Sequence, residues 1–334
     1  MKLLRQLLFP FSLLYGAVVW IRNKAYDLDW LSSTSYDLPV ICVGNLSVGG
    51  TGKSPMIAYL ISFLQEDFKV AVLSRGYKRK TSGFREVNTT STAEEVGDEP
   101  LQCKQNFPEV TVAVCADRRT GIEQLRTKAD VILLDDAFQH RKVKASLNMV
   151  LTPFNDLYID DLMLPTGNLR EPISGIRRAD IVVVTKCPHK VPYAKLQEIQ
   201  YKLQLRPEQL LFFSKIGYDL NIYSTTESLP LHYLQDKHFT LVTGMANPQP
   251  LVDFLEQEAF SFTHWNFPDH HSFSASEIKK IAQEELILTT EKDYMRLQGK
   301  VSKYALYYLP IKTVILNEQE QYFQETVLSK MREY

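Results

Sequence analysis

The chain has 334 residues, 45% hydrophobic and 23% charged, enough for one large or two smaller folded domains and too apolar for disorder. A formal net charge of −1 excludes a global electrostatic pull towards nucleic acid or anionic lipid, so any basic site must be local. Four scattered cysteines, Cys42, Cys103, Cys115 and Cys187, form no C-x-x-C, which argues against a zinc knuckle or disulfide framework and fits a reducing compartment.

The chain opens on Met1-Lys2-Leu3-Leu4-Arg5, then runs apolar from Leu7 to Ile21, broken only by Pro10, Ser12 and Gly16. The run is shorter than the ~20 apolar residues that span a bilayer. Its layout resembles a signal peptide, but no A-x-A-like cleavage site follows. Pro10 suits a helix start, with Phe11 to Trp20 continuing as one helix. The favoured reading is a helix at a membrane surface, with Trp20, Arg22 and Lys24 at headgroup level. The alternative is an N-terminal helix packed on the domain.

Pro39–Val43 reads as a strand, followed by Ser47-Val48-Gly49-Gly50-Thr51-Gly52-Lys53-Ser54 and an apolar helix through Met56–Ile61. Strand, glycine-rich loop, Lys-Ser and helix form a phosphate-cradling P-loop, although Ser47 stands where the first glycine is usual. Glycines let backbone N–H groups converge on an anion, and the helix N-terminus adds its dipole. Lys53 suits the β- and γ-phosphates and Ser54 a magnesium ion. A mere flexible turn with a surface lysine would not need the strand before it and the helix after it.

Lys69–Leu73 is a second strand, ending in Ser74-Arg75-Gly76-Tyr77-Lys78-Arg79-Lys80. Cations beside an aromatic at a strand end suit a phosphate- or sugar-bearing substrate, or a solvated basic loop. Gly97-Asp98-Glu99-Pro100 precedes a helix, and spacing alone makes Asp98 its cap. Thr111–Cys115 is a strand. Asp117-Arg118-Arg119-Thr120-Gly121 opens a helix with two arginines where the dipole disfavours them, which hints at an anionic partner. Val131–Leu134 is an unbroken apolar strand ending in Asp135-Asp136, a Walker-B pattern for magnesium.

Met149–Thr152 and Ile181–Thr185 are further strands, and Leu164–Pro172 between them reads as a functional loop. Thr185-Lys186-Cys187-Pro188 stands where GTPases carry Asn-Lys-x-Asp. Pro188 in place of the aspartate argues against guanine and for adenine. Tyr193–Leu205 is helical, and Glu208–Leu234 is mixed and turn-rich, an inter-domain region. A smaller α/β unit follows, with strands at Phe239–Thr243, Phe260–Trp265 and Leu286–Thr290, helices at Pro250–Glu258 and Ser274–Ala282, and short terminal strands at Ala305–Leu309 and Thr313–Leu316. Its loop Phe267-Pro268-Asp269-His270-His271 carries two histidines beside an aspartate, at a spacing that does not fit a helical zinc site.

The expected fold is α/β: a P-loop NTPase-like, mostly parallel sheet with helices on both faces, plus a second, smaller α/β domain. Boundaries are placed at 1–25 for the membrane-surface helix, 26–205 for the P-loop core and 206–334 for the smaller domain with its hinge region.

These segments together resemble the tetraacyldisaccharide 4′-kinase family. The resemblance rests on Gly44–Pro55, Ser74–Tyr77, Gly97–Pro100, Asp135–His140, Asn168–Pro172, Thr243–Pro248, Phe267–His270 and Thr290–Asp293, and runs to about residue 297. The family shares the serine at the start of the loop. Ser54 and Ala137 replace residues expected as Thr and Gly in many relatives. The resemblance implies transfer of the γ-phosphoryl of ATP to the 4′-hydroxyl of a lipid A precursor, a tetraacyldisaccharide 1-phosphate, at the cytoplasmic face of the inner membrane. A hinge would close the smaller domain over ATP.

ATP would then be held by Val48, Gly49, Gly50, Thr51, Gly52, Lys53, Ser54 and Pro55, and magnesium by Ser54 with Asp135 and Asp136. The resemblance makes Asp98 the base for the 4′-hydroxyl and His270 the group that orients it. Arg75, Arg119, Arg170 and Glu171 are placed at the substrate mouth. Two rivals are weighed: a soluble P-loop kinase of a cofactor-like small molecule, which the apolar N-terminus disfavours, and a nucleotide-dependent switch such as a metallochaperone GTPase, which Pro188 disfavours. No nucleic-acid partner is indicated.

Overall fold

The computed structural model describes residues 5–269 and 271–333. The chain divides into two compact units, residues 1–216 with 313–334, and residues 217–312. In the first unit the elements are α1 (Phe9–Asp27), β1 (Val40–Gly44), α2 (Lys53–Leu64), β2 (Val70–Ser74), β3 (Arg85–Glu86), α3 (Ala93–Val96), α4 (Asp98–Asn106), β4 (Thr111–Val114), α5 (Arg118–Leu125), β5 (Val131–Asp135), β6 (Leu147–Pro153), β7 (Ile181–Thr185), α6 (Tyr193–Leu203) and β8 (Leu210–Tyr218), whose end crosses into the second unit. There follow β9 (Asn221–Tyr223), β10 (Ser228–Pro230), β11 (His238–Thr243), α7 (Gln249–Gln257), β12 (Ser261–Asn266), α8 (Ala275–Ile281), β13 (Ile287–Thr289), α9 (Glu291–Leu297) and β14 (Leu306–Tyr308). Then β15 (Ile311–Ile315) leads back to the first unit and to α10 (Glu320–Met331).

The first unit is built on a nine-stranded sheet in the order β15-β8-β7-β6-β1-β5-β2-β4-β3. Strands β4, β2, β5, β1, β6, β7 and β8 run parallel, and the short β3 closes one edge antiparallel. Every residue of β1, β2, β5 and β7 is buried, as strands covered on both faces require. Alternate residues feed two cores. Val40 and Cys42 point to the side of α5 and α6, with Ile122, Leu125, Leu196 and Ile199. Ile41 and Val43 point to the side of α2 and α10, with Leu60, Leu64, Phe323 and Val327. The register of β1 on β5 sets Val43 opposite Asp135, so the strand entering the glycine loop and the strand ending in carboxylates finish side by side.

Two features differ from the sequence reading. Residues 313–334 return to the first unit instead of closing a 206–334 domain. The region read as mixed holds the nine-residue strand β8, whose apolar Leu210-Leu211-Phe212-Phe213 is followed by polar residues that broke the pattern.

The helix α1 is longer than Phe11–Trp20. It buries Ser12, Val19 and Tyr26, one side chain every two turns, and leaves Phe11, Leu13, Leu14, Val18, Trp20 and Ile21 exposed. No described helix is long and apolar enough to cross a membrane. The second unit has its own six-stranded sheet, β10-β9-β14-β13-β11-β12, with β12, β11, β13 and β14 parallel.

Candidate active site

The glycine loop leaves β1 and ends at Gly52, whose φ of +92° is the left-handed turn that lets α2 start at Lys53. Residues 48–50 face solvent, and Ser54 is exposed on the first turn of α2 beside Pro55, where a missing N–H is tolerated. The loop is nonetheless tied to its neighbours. Asn45 Nδ2 donates to Thr51 Oγ1 at 3.1 Å, Thr185 Oγ1 to the Thr51 carbonyl at 2.7 Å, and Lys186 Nζ to the Gly50 carbonyl at 2.5 Å. Thr185 and Lys186 are thus braces of the loop. In the sequence they bear only on base choice, and the signal for this bracing is their place at the end of the strand beyond β6.

The carboxylate pair divides into two roles. Asp135 is buried, and its Oδ2 accepts from Ser74 Oγ at 3.2 Å while Oδ1 has no hydrogen-bond partner. Burial, then the nearby charges of Glu99 and Asp136, push its carboxyl up to about 6. A buried carboxylate oxygen without a donor fits a cation. Among the described residues no three His, Cys, Asp or Glu form a metal cage. Magnesium needs only one or two carboxylates and completes its shell with water and phosphate. Asp136 stands at φ +50° and meets two cations: Arg170 reaches its oxygens at 2.8 and 3.0 Å, and Lys53 Nζ lies 3.8 Å from Oδ1.

Asp98 differs from its expected cap role. It is the first residue of α4, and Gly97 precedes it at φ +93° as the N-cap. A Cβ at Gly97 would lie 3.0 Å from the Tyr77 carbonyl, so this corner needs glycine and packs against the loop after β2. The Asp98 side chain is left exposed.

The two arginines opening α5 also differ from expectation. Asp117 caps the helix by accepting from the Arg119 N–H at 3.2 Å, which answers the dipole. Arg118 is buried and turns onto the carbonyls of Cys115 at 2.7 Å, Ala116 at 3.2 Å and Asp135 at 3.4 Å. Arg119 is partly buried, 3.6 Å from Asp117, and Arg75 is exposed just past β2.

Glu171 is not at a surface mouth. It is 1% exposed and accepts from Asn23 at 3.1 Å, Gln139 at 2.9 Å and Arg178 at 2.9 and 3.0 Å. Its neighbour Arg170 does reach the carboxylate pair. In the second unit His270 lies outside the described residues. His271 bonds Glu277 at 3.0 Å and stacks on Phe267, which makes it a structural residue of its loop.

The chain matches the LpxK family, tetraacyldisaccharide-1-P 4′-kinase, over residues 4–332. It is 50% identical to a tetraacyldisaccharide 4′-kinase of Flavobacterium johnsoniae across 100% of this chain and 99% of that one. It is 43% identical to that of Bacteroides thetaiotaomicron, across 98% and 93%. The structure is similar to that of LpxK from Aquifex aeolicus in complex with ATP, with a TM-score of 0.79 and 32% identity over 98% of this chain and 99% of that one. Loop, carboxylate pair and full-length likeness agree, and the chain belongs to the tetraacyldisaccharide 4′-kinase family.

Proposed function

We propose that this chain transfers the γ-phosphoryl group of ATP to the 4′-hydroxyl of a tetraacyldisaccharide 1-phosphate at the cytoplasmic face of the bacterial inner membrane. Besides family membership, one observation supports the reading: Lys53 and Arg170 converge on Asp136, next to the open residues 48–50. Phosphoryl transfer asks a protein for positioning and charge neutralisation more than for covalent chemistry. Lys53 and the amides of Gly49, Gly50, Gly52, Lys53 and Ser54 hold the phosphates, since the N–H groups of Val48 and Thr51 are taken by the Asn168 and Gly49 carbonyls, and Pro55 keeps the first turn of α2 in place. Asp135, Asp136 and Ser54 would hold magnesium, which when bound offsets the phosphate charge.

Asp98, exposed and unpinned by capping, accepts the proton of the attacking hydroxyl. His270 would orient Asp98, a role that the family resemblance implies. Arg75 and Arg119 act on the acceptor side. The exposed apolar face of α1 rests on the membrane, because the acyl chains of the acceptor stay in the lipid layer.

The test is incubation with γ-labelled ATP, magnesium and tetraacyldisaccharide 1-phosphate, followed by separation of the lipid products. Label in a bisphosphorylated lipid is the expected result. Label found only in inorganic phosphate, or only in a water-soluble acceptor, would refute the assignment.

A further inference from the structure

Three polar side chains of α1, and one from the residue leading into it, converge on one loop. Ser12 Oγ donates to Thr166 Oγ1 at 2.7 Å and accepts from the Thr166 N–H at 3.0 Å. Tyr15 Oη donates to the Arg170 carbonyl at 2.9 Å, and Asn23 Nδ2 to Glu171 at 3.1 Å. Arg5, just before the helix, reaches the Pro165 carbonyl at 3.1 Å and Asn168 Oδ1 at 3.2 Å.

The same loop is laid along the residues that enter the phosphate site. Val48 N–H donates to the Asn168 carbonyl at 2.8 Å, and Arg170 N–H to the Leu46 carbonyl at 2.7 Å. Ser47 and Leu169 form an antiparallel bridge, and the Arg170 guanidinium ends on Asp136. From Tyr15 to the carboxylate pair the path is therefore one residue long.

A helix that served only to hold the protein at a lipid surface would need its exposed apolar face and nothing more. The pair of Ser12 and Thr166, 2% and 9% exposed, lies on the opposite side of α1 from that requirement. Buried hydroxyls bonded to each other fix a register between two segments, since a slip would leave donor and acceptor without partners.

We infer that α1 is a buttress of the active site as well as a surface element. Ser12 and Tyr15 are positioning residues that hold residues 164–171 so that Arg170 stays on Asp136 and the glycine loop keeps its shape. The inference rests on the phosphoryl transfer proposed above.

The test uses the full chain as wild type, Ser12→Ala and Tyr15→Phe, with detergent-dispersed tetraacyldisaccharide 1-phosphate and saturating ATP and magnesium. In detergent the need for a bilayer anchor is removed. Both variants should lose about threefold or more in kcat, the equivalent of one ordinary hydrogen bond. Their KM for the lipid, and their co-sedimentation with vesicles of phosphatidylethanolamine and phosphatidylglycerol, should stay at wild-type values. Urea midpoints are read alongside, and if Ser12→Ala is unfolded then Tyr15→Phe, which keeps its ring, decides alone. A kcat within about twofold of wild type in Tyr15→Phe, smaller than that hydrogen-bond equivalent, overturns the inference. Failure of the proposed reaction itself shows separately, as absence of labelled lipid in the wild type.

Discussion

Arg178 holds both oxygens of Glu171, at 2.9 and 3.0 Å, while its guanidinium lies 4.4 Å over the ring of Phe138. Glu171 also takes donors from α1 and from Gln139, so it ties three segments together inside the first unit. Removing it leaves a cation, an amide and a glutamine without their acceptor. Glu171→Ala should cost on the order of 3 kcal/mol of stability, the usual result of breaking one side of a buried pair. The measurement is a urea melt. A variant with an unchanged midpoint and a raised KM for the lipid would return Glu171 to the substrate surface.

Asp98 carries the proton transfer in the proposed reaction. Asp98→Ala should lower kcat by about 10²–10⁴-fold while ATP affinity stays close to wild type. Because Asp98 does not cap α4, the urea midpoint should hardly move. Turnover near wild type would remove it from the mechanism.

Gly97 sets the corner that presents Asp98. At φ +93° a side chain is strained, and the Tyr77 carbonyl leaves no slack for a Cβ at 3.0 Å. Gly97→Ala should destabilise the unit by about 1 kcal/mol or more and lower kcat with it. Thermal unfolding and turnover measured on one preparation test the pairing of the two effects.

His140 offers a pH test that does not involve the reacting groups. Burial first, then the charge of Arg118, lowers its pKa from 6.5 to about 4, with Asp117 opposing and Lys142 and Arg119 adding to the fall. A depressed folded-state pKa means that the neutral ring is favoured in the native protein. Its contribution is complete above the unfolded value of 6.5 and is lost as pH falls through about 4. The urea midpoint of wild type should therefore drop between pH 6.5 and pH 4, and that of His140→Gln should drop less. Parallel curves for the two proteins would show that His140 is not the group responsible.

Phe11 and Trp20 present 63% and 51% of their surface to solvent. The double substitution Phe11→Ser with Trp20→Ser should weaken vesicle binding markedly, since a large apolar side chain is worth about 1.5–3 kcal/mol when taken out of water. Flotation with phospholipid vesicles measures it. Undiminished flotation would detach α1 from the membrane.

The glycine loop between strand and helix, and the buried strand ending in Asp135, were legible because their pattern is local. Glycines, Lys53 and Ser54 occupy consecutive positions, and Asp135 follows four apolar residues that belong at a sheet centre. The roles of Arg118 and Glu171 were not legible, because a charged residue reads as exposed until its partners are known. Arg118 turns back onto the carbonyls of Cys115 and Ala116 just before it and of Asp135 on another strand, and Glu171 takes Asn23 and Gln139 from far off in sequence as well as the nearby Arg178. Asp98 looked like a cap by type and position, but the left-handed Gly97 had already ended the preceding turn. The domain limit failed for a related reason: no local pattern says that β15 and α10 belong with β8 and α2 rather than with the strands just before them.

That return has a consequence for how the protein is made. Phe323, Val327 and Met331 fill the face of the first sheet next to Ile61 and Leu64, yet the ribosome emits them only after the whole of the second unit. During synthesis the earlier unit waits with an apolar flank uncovered while the later one can already complete itself. Contacts so distant along the chain slow closure. The nascent enzyme should accordingly lean on chaperones until residues 313–334 arrive, and truncations there should aggregate although the whole glycine loop and both carboxylates are present.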